Sequence, residues 1–131
     1  MKRFGLSGNE RIKSRKDFEI IFDSGKVMLS SDSRIKASFI YKESSEPGVK
    51  IAAAVSRKAG IAVWRNRAKR LIKEAYRLNK EILTEVCLQK KIQLKLVFAV
   101  NSLNQKKNRN LVLDDIKPGV LDIMLKLRNI I

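Results

Sequence analysis

The sequence contains no histidine, one cysteine, two prolines and only thirteen acidic side chains among 131 residues. Without histidine there is no imidazole to activate a serine or cysteine nucleophile, and no histidine base of the kind small ribonucleases use. A single cysteine, Cys87, excludes an internal disulfide, and a lone thiol suits a reducing compartment. With no histidine beside it, Cys87 leaves no ligand set for zinc. Asp114 and Asp115 are the only adjacent acids, and they read as a helix start rather than a carboxylate metal site. Gly5 and Gly8 do not make a phosphate-cradling loop. The longest apolar runs, Ile51 to Val55 and Leu96 to Val100, are far too short to span a bilayer, and the opening MKRFGLSGNERIK lacks the apolar segment of a signal peptide. These absences predict a soluble cytoplasmic protein with no catalytic residue, metal site, bound cofactor or disulfide partner of its own. Any chemistry belongs to something it binds.

What the sequence has is positive charge. Lys and Arg number 29, giving a formal net charge of +16 and a pI near 10.3. Nucleic acid is the leading partner on that balance, with an anionic membrane surface second. Hydrophobic content of 44% and the chain length predict one folded domain over 1–131, large enough to bury a core without staples. Residues 1–12 read as a loose basic N-terminus.

The charge concentrates in RKAGIAVWRNRAKRLIKEAYRLNK, Arg57 to Lys80. Read at about 100° per residue, Trp64, Ala68, Leu71, Ile72, Ala75, Leu78 and Ile82 fall on one side of a helix. Arg65, Asn66, Lys69, Arg70, Lys73, Arg77 and Lys80 fall on the other. Arg67 sits at the edge of the apolar stripe, where its stem packs and its guanidinium reaches outward. A charge run is most often a solvated face, but such faces mix signs. Here no acid lies between Glu46 and Glu74 while eight Lys or Arg do. Like charges packed on one face repel unless an anion offsets them.

Around that helix the pattern alternates elements. Arg15 to Asp23 reads as a short helix with Ser14 as its cap, Phe18, Ile21 and Phe22 at helical spacing, and Gly25 ending it in the left-handed C′ manner. Lys26 to Ser30 reads as a short strand. In Ile35 to Lys42 the residues Ile35, Ala37, Phe39 and Tyr41 share one face, and Lys36, Ser38 and Lys42 the other. Val49 to Val55 is a buried strand, and Gln93 to Val100 a fourth. Strand, long helix, strand implies a parallel crossover and a mixed α/β (α+β) sandwich. Residues 101–110 form a polar basic loop. Residues 114–131 form a terminal helix that Pro118 opens or kinks.

Ser56-Arg57-Lys58-Ala59-Gly60-Ile61-Ala62-Val63-Trp64-Arg65-Asn66-Arg67-Ala68-Lys69-Arg70 resembles the signature of the bacterial ribonuclease P protein subunit. Arg15, Asp17, Phe18, Phe22 and Gly25 fit the same family's N-terminal pattern. Ile61 stands where members commonly carry Asn, and Trp64 is bulkier than usual there. The resemblance implies a two-layer sandwich with a four-stranded mixed sheet and three helices in the order αβββαβα. It also implies a left-handed crossover around the basic helix. Its implied partners are a catalytic ribonuclease P RNA and precursor tRNA, with Mg²⁺ required by the RNA. Arg57, Lys58, Arg65, Asn66, Arg67, Lys69, Arg70, Lys73 and Arg77 would contact that RNA. Lys13, Arg15, Phe18 and Phe22, with Phe39 or Tyr41, would line a cleft for the single-stranded 5′ leader.

Three other readings remain against the residues alone. A ribosomal or general structured-RNA-binding protein shares the composition. A helix-turn-helix DNA binder needs a helix where Val49 to Val55 reads as a strand. A membrane-surface helix needs large apolar residues where Ala68 and Ala75 stand. If the basic helix neutralises about six phosphates, affinity falls by about 10³ between 50 and 200 mM salt.

Overall fold

The computed structural model describes residues 10–131. Along the chain run α1 (Arg15–Ser24), β1 (Lys26–Leu29), β2 (Ile35–Glu43), β3 (Gly48–Ala54), a 3₁₀ turn (Arg57–Ala59), α2 (Ala62–Asn79), α3 (Glu81–Lys90), β4 (Ile92–Val100) and α4 (Leu113–Ile130). The element order is therefore αβββααβα, with four helices where three were expected. Residues 81–90 carry apolar side chains at 82, 83, 86, 87 and 88, a short stripe blurred by Leu88 off it and Lys90 within it. Leu83 and Cys87 are buried while Leu88 is 58% exposed. Lys80 keeps right-handed helical geometry at the junction and its ammonium pairs with Glu10 at 3.1 Å.

The four strands form one mixed sheet in the order β1-β2-β4-β3. β2 pairs antiparallel with both β1 and β4, and β3 lies parallel to β4 after the crossover through α2 and α3. Strand alternation then sorts side chains between two faces. Ile35, Ala37 and Phe39 of β2, Val49 and Ile51 of β3, and Leu94, Leu96 and Phe98 of β4 form the main core. Trp64, Ala68, Ile72, Ala75 and Tyr76 of α2, Leu83 and Cys87 of α3, and Ile116, Val120, Ile123, Met124 and Leu127 of α4 close over it. Each large side chain buried this way contributes roughly 1.5–3 kcal/mol relative to exposure. Gly119 lets α4 lie close, since a Cβ there would stand 2.8 Å from Ile35 Cγ1.

Among the described residues, the other sheet face is covered by α1 and the segment at Ile12 that precedes it. Ile12, Ile21, Ala52 and Val97 form a second, smaller cluster, with Phe18, Ile40 and Ala54 packed against it. The two-layer description thus gains a partial third layer, and that layer shapes the site. Two local expectations change here. Ser14 occupies the N-cap position of α1 without a side-chain cap bond, and Gly25 is extended (φ −73°, ψ 157°) rather than left-handed. Gly25 is needed for space instead: a Cβ would meet the Ile21 carbonyl oxygen at 2.2 Å and that of Phe39 at 3.0 Å.

The expectation of a loose N-terminus falls for residues 1–9 outside the described ones. Residues 10–12 are held. The Ile12 N–H donates to the Ile51 carbonyl at 3.0 Å, and Ile12 is buried. Pro118 lies inside α4, which already begins at Leu113; there the Asp115 carboxylate accepts the Val112 N–H at 2.9 Å.

Candidate nucleic-acid interface

The apolar stripe of α2 fixes which way its cations point. With Trp64, Ala68, Ile72 and Ala75 in the core, Asn66, Arg67, Arg70 and Lys73 stand exposed on the opposite side, and Arg65 and Lys69 are half-buried beside them. Arg57 and Lys58, exposed on the 3₁₀ turn, continue the surface toward β3. The helix thus brings most of the expected RNA-contacting residues onto one surface. Three of them are modified by their surroundings. Arg67 Nε donates to the Leu111 carbonyl at 2.5 Å, so its guanidinium is tethered. Arg65 Nε is enclosed and without a hydrogen-bond partner. Arg77 is gripped by both oxygens of Glu74, with Nε to Oε2 at 3.0 Å. The hydrogen bond from Arg77 holds the Glu74 carboxyl below its ordinary range, so Arg77 enters any complex with its charge already matched.

The start of α2 is clamped by the chain between β4 and α4. Gln105 is the strut: its N–H donates to the Ala59 carbonyl at 2.7 Å and its side-chain oxygen accepts the Ile61 N–H at 2.9 Å. Trp64 Nε1 donates to the Asn108 carbonyl at 2.9 Å. Gly60 makes the approach possible, because a Cβ would lie 2.9 Å from Gln105 Cβ and 3.0 Å from the Trp64 ring. Ile61, in place of the common Asn, contributes its backbone to this clamp and leaves its side chain exposed.

The second candidate surface is the sheet face beside α1. Phe18 and Phe22 stack with centroids 6.3 Å apart and planes 23° apart. Phe18 is half-buried against the small cluster, while Phe22 is 57% exposed and Ile20 42%. Lys13 and Arg15 are exposed at the start of the helix. A groove of about 320 Å³ runs between α1 and the strands, lined by Ile20, Ile40, Tyr41, Lys42, Gln93 and Lys95.

Phe39 does not belong to this surface. It is 2% exposed and faces the main core, because it shares the inward face of β2 with Ile35 and Ala37. Tyr41 lies on that face too, near the strand end, where it keeps partial exposure, stacks on Phe39 and carries Lys26 Nζ 5.9 Å from its ring centroid. The residues that do face α1 are Lys36, Ser38, Ile40 and Lys42 of β2, registered with Ala99, Val97, Lys95 and Gln93 of β4, and Lys50 of β3 beside Lys95. Four lysines and no acid come from the strands on this face. Lys95 is paired with Asp17 of α1 at 3.0 Å. The alternation of β2 already set Lys36, Ser38 and Lys42 apart from Phe39; Lys50 and Lys95 carried no signal until the strand register was known.

Burial pushes the Cys87 thiol up to about 11, which keeps it neutral and inert. Among the described residues no group of three or more His, Cys, Asp or Glu is placed to hold a metal ion, and no helix is long and apolar enough to cross a membrane.

Comparison with known proteins identifies the family and the fold. A family model described as ribonuclease P matches residues 6–120. The chain is 35% identical over 103 residues to the ribonuclease P protein component of Porphyromonas gingivalis W83, covering 76% of this chain and 72% of that one. It is 33% identical over 117 residues to the ribonuclease P protein component of Clostridium botulinum Loch Maree, covering 88% and 92%. Among solved structures, the RNase P protein from Thermotoga maritima superposes with a TM-score of 0.69 at 22% identity, over 89% of this chain and 96% of that one. The Staphylococcus aureus RNase P protein gives 0.65 at 20%, over 90% and 94%. At those identities the structures speak for the fold, including its four-stranded mixed sheet.

Proposed function

The chain belongs to the bacterial ribonuclease P protein component family, and so to the endoribonuclease of tRNA 5′ maturation; on that premise we propose how its two surfaces divide the work. The exposed side of α2, with Arg57 and Lys58, grips the backbone of the catalytic RNA. The surface around α1 takes the single-stranded 5′ leader of precursor tRNA, with Phe22 and Phe18 as a stacking platform on one side of the helix, Lys13 and Arg15 at its start, and Lys42 and Lys95 in the groove on its other side near the phosphates. The observation that carries the reading is the α2 face: exposed cations on a helix locked to a core, in a stretch of sequence without acids from Pro47 to Lys73.

The division follows from what each surface offers. Phosphate contacts supply affinity and orientation with little sequence reading, which suits a subunit serving every precursor tRNA. Base–aromatic stacking accepts any base, which suits leaders of differing sequence. The protein contributes no reacting group in this reading; the RNA, with its own Mg²⁺, cleaves the phosphodiester, and the assembly works in the cytoplasm.

The test mixes purified protein with a bacterial ribonuclease P RNA and 5′-labelled precursor tRNA at low Mg²⁺. Leader release only when both components are present is the expected result. Cleavage by protein alone would place a nuclease in the chain itself. Tight RNA binding without stimulation would favour a general structured-RNA binder.

A further inference from the structure

We propose that the loop between β4 and α4 is a second RNA-gripping element, in which Lys106, Lys107 and Arg109, with Lys58 across an open depression, hold backbone phosphates of the same structured RNA that α2 binds. The inference rests on the reading of α2 given above and extends it to residues outside that helix.

Charge is the first ground. No acid lies between Glu85 and Asp114, a stretch holding Lys90, Lys91, Lys95, Lys106, Lys107 and Arg109. The last three are exposed, and none of the ion pairs among the described residues involves them. Three uncompensated cations within four residues repel one another unless an anion sits among them.

Order is the second. A connection of this length without regular structure is uncommon, and such loops are usually functional or disordered. This one is fixed. Leu103 and Leu111 are buried at its two ends. Between them Asn108 N–H donates to the Asn104 carbonyl at 2.8 Å and Lys107 N–H to Asn104 Oδ1 at 2.9 Å, closing a tight turn that carries the lysines. The Gln105, Asn108 and Leu111 bonds to the start of α2 then set the loop's position against the helix. Cations held in place before binding lose less entropy on meeting phosphate than cations on a floppy tether.

Shape is the third. An open depression of about 550 Å³ lies over the seam where the 3₁₀ turn meets the loop, floored by Gly60 and Gln105 in contact, with Lys58 on one side and Lys106 and Lys107 on the other. Cations on both sides of this seam fit a sugar-phosphate strand lying across it.

The experiment measures the affinity of full-length protein for ribonuclease P RNA as salt is raised from about 50 to 200 mM, a range over which phosphate contacts dominate. It compares wild type, K106A/K107A/R109A, K106R/K107R and the helix variant R70A/K73A. Because the triple alanine variant loses three of the four proposed phosphate contacts and keeps only Lys58, its log–log salt slope should be shallower by about 2–3, and the arginine variant should keep the wild-type slope. The substituted side chains are exposed, so the thermal midpoint should not move. A triple variant with wild-type slope, beside an R70A/K73A variant with a shallower one, overturns the loop proposal and leaves the α2 reading standing. A flat salt response in the wild type overturns both.

Discussion

On α2, Asn66, Arg67, Arg70 and Lys73 stand exposed with a single acid, Glu74, already engaged by Arg77. Beside α1, the cation nearest the groove floor, Lys95, is held by Asp17, and the exposed surface is apolar at Phe22 and Ile20. One surface has charge without rings, the other rings with moderated charge. The difference is what distinguishes a grip on folded RNA, whose phosphates form a rigid array, from a berth for a flexible strand, whose bases are free to stack. It also says that salt should act unequally on the two.

The contrast breaks most completely at the residue that separates the surfaces. Phe39→Ala, in the core, should cost about 3–5 kcal/mol of stability and leave leader affinity of the folded fraction unchanged; urea unfolding beside leader binding checks this. A specific loss of leader binding at full stability would return Phe39 to the groove. Next in size, K69A/R70A/K73A on α2 should remove about three phosphate contacts, shrinking the affinity loss between 50 and 200 mM salt by about thirtyfold. Leader binding in the assembled enzyme should stay. Filter binding over a salt series reads the first effect, and crosslinking of the leader the second.

Phe22→Ala sharpens the groove side. Because that ring is exposed, stability should hold while leader affinity falls by about 1–3 kcal/mol, the worth of one base stack. Phe18→Ala is the less clean variant, since its ring also packs on the small cluster of Ile12, Ile21, Ala52 and Val97. Smaller again is Asp17→Asn, which releases Lys95. It should cost at most about 1 kcal/mol of stability and steepen the salt dependence of leader binding by about 0.7, one more phosphate on a single strand.

Cys87 supplies the control for all of these variants. Its proton is retained in the fold up to about pH 11 while an ordinary thiol near 9 has lost its own. The unfolded chain therefore releases a proton first, and the thiol's contribution to stability declines as pH rises from 9 toward 11. At pH 8 a thiol reagent should leave native protein unlabelled and label it in denaturant. Labelling of a native variant would mean its binding defect reflects an opened core.

Sequence periodicity reached the main elements to within a residue or two, because each has a clean repeat: α2 at helical spacing, β2 at strict alternation. It failed where the repeat is weak. In α3 the stripe of Ile82, Leu83, Val86 and Cys87 is short, with Lys90 falling inside it and Leu88 outside, so the repeat is weak. The same alternation in β2 had separated Phe39 from Lys36, Ser38 and Lys42, and the family pattern of aromatic residues drew Phe39 to the wrong side of that line. Tyr41, two residues from the end of the strand, is intermediate in exposure. The clamp on α2 was illegible for a different reason. Apart from the Gln105 side-chain oxygen, it is made through the carbonyls of Ala59, Asn108 and Leu111, and backbone acceptors leave no mark on residue identity.

The alternation of β2 also governs which changes in chain length the protein can survive. Phe39 belongs to the core and its neighbour Ile40 to the groove, and the same holds for Leu96 and Lys95 across the ladder. Inserting or deleting one residue within β2 would turn every later side chain to the opposite face, driving lysines inward and core residues into the groove at a stroke. The turn at 44–47 lies outside the ladder and is free of that constraint. Lineages of this fold should therefore vary in length at 44–47 and keep the span from Ile35 to Glu43 fixed, so that indels, more than substitutions, mark where the two surfaces share a strand.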